Sequence, residues 1–212
     1  MPKDDLELIS LPGRGRAESI RMMLVFCGQQ FNDTRLTIQQ WKGRRKLQGF
    51  NDDTKLPVMK INKTKTLIGV IDISRYIALH YGLYGKSSAD QEKINEIINE
   101  LEQLNSQLNP IIRATLTKNY EQRKASWDLF KQQSLVPQLN IYETKLATST
   151  YLFNNTICWA DIALIEMVTR FQCCYDSYFL AHFPNLKSYC DRFEALPTVR
   201  PYIQARPEAA YF

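Results

Sequence analysis

The chain has 212 residues, of which 44% are hydrophobic and 23% charged, with a formal net charge of +5; this is the balance of an ordinary globular protein, long enough for one large domain or two small ones, and it excludes a disordered chain. No stretch approaches the roughly 18 consecutive apolar residues of a membrane span, and the start Met1-Pro2-Lys3-Asp4-Asp5 has no apolar leader core. Five cysteines (Cys27, Cys158, Cys173, Cys174 and Cys190) form no CxxC pair and have only His80 and His182 beside them, so free thiols are expected and no metal site is.

In chain order, short apolar runs first alternate with helical patterns. Residues 6–11 read as a strand, 17–27 as a helix, 31–38 as a second strand and 39–48 as a second helix. Two close runs, 57–61 and 66–68, are joined by the polar Asn62-Lys63-Thr64-Lys65 as a hairpin, and a helix follows over 71–81. The order βαβαββα belongs to a small mixed sheet with helices packed on it. After Gly82-Leu83-Tyr84-Gly85 the strand signals almost vanish. Ile94, Ile97, Ile98, Leu101, Leu104, Leu108 and Ile111 keep one face of a long helix apolar until Pro110 kinks or ends it. That stripe is either core or a homodimer face. A second long helix is predicted over 120–146 with a bend at Pro137, and further helices over 159–173, 185–196 and 198–204. The expected division is an α/β domain over 1–80 and an all-helical domain over 81–212.

Several local patterns have a plainer and a sharper reading. The dense basic run from Lys42 to Lys46 reads as a solvated helix face, without the interleaved aromatics of a nucleic-acid stripe. Gly13-Arg14-Gly15-Arg16 fits neither GxxxxGK nor GxGxxG, which leaves a structural turn as its main reading. In Thr156-Ile157-Cys158-Trp159-Ala160-Asp161-Ile162, Asp161 stands where an N3 carboxylate reaches back to a helix cap, although Cys158 is a poor cap acceptor. Phe171, Tyr175, Tyr178, Phe179 and Phe183 either fill a core or line a cleft for a hydrophobic small molecule. Asn32-Asp33-Thr34, Asn62-Lys63-Thr64 and Asn154-Asn155-Thr156 are sequons that matter only if the chain is secreted after loss of a leader; otherwise a cytoplasmic chain is expected.

The element order resembles the cytosolic glutathione transferases, a thioredoxin-like domain followed by an all-helical one. The residues that carry the resemblance are Gly13-Arg14-Gly15-Arg16-Ala17-Glu18 with Ile20-Arg21, Trp41, Lys55-Leu56-Pro57, Ile73-Ser74-Arg75-Tyr76-Ile77-Ala78, Trp159-Ala160-Asp161, and Ala205-Arg206-Pro207-Glu208 with the final Phe212. Together they look like the sigma class, which includes helminth and nematode enzymes and prostaglandin D synthases.

The resemblance implies a site for glutathione, a peptide with a carboxylate at each end and a thiol between them. It implies a cis Pro57, which turns the backbone of Leu56 toward the cysteinyl backbone of the ligand. Trp41, Arg45 and Lys55 match the positions that hold the glycine-end carboxylate, with Arg45 where a lysine is usual. Three other anchors are changed. A Gln-Ser pair that holds the γ-glutamyl carboxylate is replaced by Gly69 and Val70, and a carboxylate that reaches across the family's dimer is replaced by Asn99. The tyrosine whose hydroxyl favours the thiolate is replaced by Ser10, about 4 Å shorter, against a hydrogen-bond span of about 3 Å. Arg14 is left to stabilise a thiolate by charge.

The expected function is that of a transferase homologue with a degenerate glutathione site and little or no conjugating activity. It would act as a ligand-binding, structural or interaction protein, as a homodimer through the long helix from Ile94 to Ile111, with no membrane partner. The alternative is an active enzyme that binds glutathione through Trp41, Arg45, Lys55 and Leu56 and activates its thiol through Arg14, Ser10 or water. Such an enzyme would conjugate an electrophile or isomerise a prostaglandin-like substrate. A nucleic-acid adaptor is a weaker third reading.

Overall fold

The computed structural model describes residues 4–153 and 156–207. Asn154 and Asn155 of the third sequon, and Glu208 to Phe212 of the family-like ending, lie outside them. The described residues form two compact units, one of residues 4–83 with 196–207 and one of residues 84–195.

The first unit contains β1 (Leu6–Ser10), α1 (Glu18–Phe26), β2 (Asn32–Arg35), α2 (Ile38–Leu47), β3 (Val58–Ile61), β4 (Lys65–Ile68) and α3 (Val70–His80). Its sheet has the order β2-β1-β3-β4, with β1 parallel to β2 and antiparallel to β3, and with β3 antiparallel to β4. This is the thioredoxin-like arrangement. The central β1 is covered on both faces, which explains its nearly continuous apolar run: Leu6, Leu8 and Ile9 are fully buried. The edge strands, Asn-Asp-Thr-Arg and Lys-Thr-Leu-Ile, are polar or partly exposed, as edges that must not recruit another chain usually are.

The second strand ends earlier than the 31–38 apolar pattern predicts. Thr37 takes the cap of α2: its hydroxyl accepts from the Gln40 amide at 3.2 Å, and the Gln40 side chain accepts from the Thr37 amide at 2.8 Å. That reciprocal pair satisfies two amides that a helix start leaves open, so helix wins over strand at Ile38.

The second unit holds α4 (Ser88–Ser106), α5 (Asn109–Leu116), α6 (Tyr120–Phe130), a π turn (Lys131–Leu135), α7 (Val136–Leu146), α8 (Trp159–Cys174), a short 3-10 turn (Phe179–His182) and α9 (Pro184–Glu194). Residues 156–158 and 153 contribute only an isolated bridge between Phe153 and Thr156. A last helix, α10 (Arg200–Ala205), belongs to the first unit. Pro110 ends the long helix and opens the next, where its missing N–H costs nothing. Pro137 cannot donate to the carbonyl four residues back, and the predicted bend takes the form of the π turn just before it.

Ile94, Ile98, Leu101 and Leu104 are buried inside this unit, where α4 packs on α8. The apolar stripe is therefore core, and the side of α4 left outside carries Glu92, Glu96, Asn99, Glu100 and Gln103. The aromatic residues resolve the same way. Phe171, Phe179 and Phe183 are buried, and Trp127 packs against Phe171, Phe179 and Tyr175, while Tyr178 is exposed. Asp161 accepts from the Cys158 amide at 2.9 Å, from the Leu152 amide at 2.8 Å and from the Tyr189 hydroxyl at 2.8 Å, so its reach back to the cap compensates for the weak cysteine.

Candidate functional site

Ser10 is the last residue of β1, where successive side chains point to opposite faces of the sheet. Ile9 points into a cluster with Trp41 and Val58, against which Leu36, Phe50 and Leu56 pack. Ser10 therefore points the other way, toward α1, and only 1% of it is exposed. Its hydroxyl accepts a hydrogen bond from the guanidinium of Arg21 and donates to the Leu11 carbonyl at 3.2 Å. The one proton of the hydroxyl is thus directed at a backbone oxygen.

Arg21 is the residue that organises this end of the sheet. Fully buried, it donates to both carboxylate oxygens of Asp33 and to Glu18, each at 3.1 Å, and to the Arg14 carbonyl at 3.2 Å. A buried guanidinium needs this much compensation, because its desolvation is otherwise prohibitive. Glu18 is shared: its other oxygen accepts from the Tyr202 hydroxyl at 3.0 Å and pairs with Arg206 at 3.5 Å. The turn between β1 and α1 is thereby fixed from its inner side. Arg14, 5% exposed, lies in this turn.

The residues expected at the glycine end of a ligand lie on α2 and the segment after it. Trp41 is buried, and its indole N–H donates to the Thr54 carbonyl at 3.1 Å. Arg45 pairs with Asp52 at 2.9 Å. Lys55 is exposed, Leu56 is half-buried, and the Leu56–Pro57 peptide bond is cis. The Pro57 carbonyl accepts from the Gly69 amide at 2.9 Å, which places Leu56 and Pro57 beside Gly69 and Val70 at the start of α3. Gly69 has φ of 88°, a backbone conformation that L side chains rarely adopt, so the glycine suits the turn. Asn99 is exposed on α4 in the second unit.

The structure thus gathers Trp41, Arg45, Lys55, Leu56, Pro57, Gly69 and Val70 in the first unit and turns Ser10 to the Arg21 side. Arg21 itself escaped the sequence reading as a site-shaping residue. The signal available was the Glu18 and Arg21 pair one helical turn apart, at an otherwise apolar helix face. No group of three or more metal-ligating side chains occurs among the described residues. The half-buried thiol of Cys27 is pushed up to about 11 by loss of solvent, which makes it a poor nucleophile at neutral pH.

Against known proteins, the family model described as "Glutathione S-transferase, C-terminal domain" matches residues 105–206. The chain is 24% identical over 211 residues to "Probable glutathione S-transferase 8" of Caenorhabditis elegans, a match spanning 97% of this chain and 98% of that protein. Its fold is similar to that of rat hPGDS complexed with a quinoline, with a TM-score of 0.83 at 21% identity, over 97% of this chain and 98% of the other. It is also similar to monomeric Na-GST-3, a glutathione S-transferase of the hookworm Necator americanus, with a TM-score of 0.80 at 22% identity, over 98% and 100% of the two chains.

Proposed function

We propose that this chain is a member of the glutathione S-transferase family whose glutathione site has degenerated and whose conjugating activity is weak or absent. The observation that carries this reading is the engagement of Ser10. Thiolate formation in glutathione needs a donor aimed at sulfur, and the Ser10 hydroxyl is buried, aimed at the Leu11 carbonyl and covered by Arg21. The indole N–H of Trp41 is likewise committed to Thr54, and Gly69 and Val70 offer no side-chain donor to a carboxylate. Each missing hydrogen bond to a charged group forfeits about 1.5–3 kcal/mol of binding. Two or three such losses turn micromolar affinity into millimolar.

The protein then acts by binding other ligands or partners on a transferase scaffold. The test is a conjugation assay with glutathione and a chloronitrobenzene electrophile, run on wild type and Ser10→Ala. Turnover at or near the uncatalysed rate in both supports the reading. Brisk wild-type turnover that Ser10→Ala abolishes supports the active enzyme instead.

Self-association through α4 belongs to the same proposal, with the polar side of the helix as the contact, since its apolar side is spent on the core. Sedimentation equilibrium tests it against the chain mass of 24.7 kDa. Twice that mass, reduced to the monomer mass by Glu96→Lys with Glu100→Lys, supports pairing through α4. A monomer at all concentrations, as the hookworm neighbour is described, contradicts it.

A further inference from the structure

Helix α6 carries two buried donors that the fold leaves unused. The indole N–H of Trp127 and the Nε–H of Arg123 are both shielded from solvent, and neither has a hydrogen-bond partner among the described residues. Trp127 as a whole is only 5% exposed. The two residues stand four apart on the helix, so both donors belong to one face, one turn from each other. Both side chains also lie against the ring of Tyr175, the C-cap of α8. The indole stacks on that ring at 4.9 Å with 19° between the planes, and the guanidinium carbon is 5.3 Å from its centre.

Arg123 is also a cation without an anion. Its Nη2 donates to the Cys174 carbonyl in the last turn of α8, but the guanidinium forms no ion pair among the described residues. The carboxylates of the two helices and of the turn after α8 are engaged with other cations: Asp128 with Lys124 at 2.6 Å, Glu166 with Arg170 at 2.9 Å and Asp176 with Lys131 at 3.0 Å. Glu121, two residues before Arg123, lies on the opposite side of α6. A buried donor left unmet costs free energy, and a half-buried guanidinium without a counter-charge adds to that cost. A negatively charged acceptor at this face removes both penalties.

We infer that this face of α6 binds the carboxylate of a planar aromatic acid, whose oxygens accept from Arg123 Nε and Trp127 Nε1 and whose ring takes the place of Tyr175 on the indole. One uncompensated positive charge suits a monoanion better than a phosphate dianion. The surfaces beside the donors are rings, and a flat ligand keeps the stack that Tyr175 makes. Tyr175 is the movable part. It is half-buried, its backbone has already left the helix with φ of −125°, and a turn follows it, whereas Trp127 is wedged among Phe130, Phe171 and Phe179. Tyr175 thus serves as a plug that the ligand displaces. All of these residues belong to the second unit, and none is among the residues gathered around Trp41 and Pro57, so the inference is independent of whether glutathione binds.

The test is equilibrium dialysis of the full chain against 2-naphthoate, with 2-naphthamide as an uncharged ligand of nearly the same shape. Naphthoate is expected to bind at least about tenfold more tightly than the amide, since a hydrogen bond to a charged group is worth that much. Arg123→Gln should bring naphthoate down to the level of the amide. Trp127→Phe keeps the stack, loses the N–H, and should weaken naphthoate about fivefold. Tyr175→Ala removes the plug and should tighten naphthoate, while an excess of reduced glutathione should leave it unchanged. Equal affinity for naphthoate and naphthamide, naphthoate binding that Arg123→Gln and Trp127→Phe leave intact, or no saturable binding even to Tyr175→Ala would overturn the inference. Circular dichroism of each variant, unchanged from wild type, keeps unfolding out of the comparison.

Discussion

Arg21 holds more of the first unit together than any other polar side chain described there. It ties the end of β1, the turn after it, α1 and β2 through Ser10, Arg14, Glu18 and Asp33. Arg21→Ala is expected to destabilise the protein by about 3–5 kcal/mol, because it leaves a buried Glu18 facing an empty cation position. Urea denaturation measures it, and a loss under 1 kcal/mol on the order of a surface substitution would refute the role. Ser10→Ala leaves one guanidinium donor without its acceptor and should cost about 1–3 kcal/mol, with no effect on glutathione turnover. Gly69→Ala is a third residue-scale case. At φ of 88° an added Cβ meets no neighbouring atom but forces an unfavourable backbone region, and about 1–3 kcal/mol should be lost.

Among the elements, Asp161 shows how one side chain joins two segments. Asp161→Asn can still accept from one amide but presents an NH2 to the other, so a loss of about 1–3 kcal/mol is expected in the same urea experiment. Its reach toward the cap was legible in the sequence from the N3 spacing alone. The sheet and most helices were legible too, because β1 alternates or runs apolar within five residues and α4 repeats its apolar positions at three and four. What periodicity could not decide was the destination of a face. Ile94 to Ile111 has the same pattern whether it meets α8 or a second copy, and only packing distinguishes them. That a serine at position 10 is shorter than a tyrosine is plain from sequence, but its partner Arg21 is eleven residues away and Asp33 lies on another strand. Their convergence depends on sheet register, where Ser10 stands opposite Arg35 of β2, and local sequence carries no such information. The Thr37 and Gln40 capping box, by contrast, was available to the sequence and would have shortened the second strand.

Taken whole, the molecule carries its net positive charge in the thioredoxin-like unit and leaves few of its described thiols and phenols fully exposed. That burial has a consequence for pH. The Cys27 thiol moves from 9.0 to about 11, mainly by loss of solvent, and the Tyr81 hydroxyl from 10.0 to about 12, by loss of solvent and then by the nearby Asp4 carboxylate. Both groups keep their protons in the folded chain at pH values where the unfolded chain releases them. Their contribution is complete below pH 9.0 and is lost as pH rises toward about 12, so the urea midpoint should fall across that window. A midpoint that stays level there would contradict the partial burial of these groups.

The central claim is that a transferase fold has kept its scaffold and given up its thiol peptide. Isothermal titration with reduced glutathione tests it most directly. The expected result is no saturable heat until millimolar ligand, for wild type and Ser10→Ala alike. Saturable binding at micromolar glutathione, weakened when Trp41 or Arg45 is replaced, would contradict it.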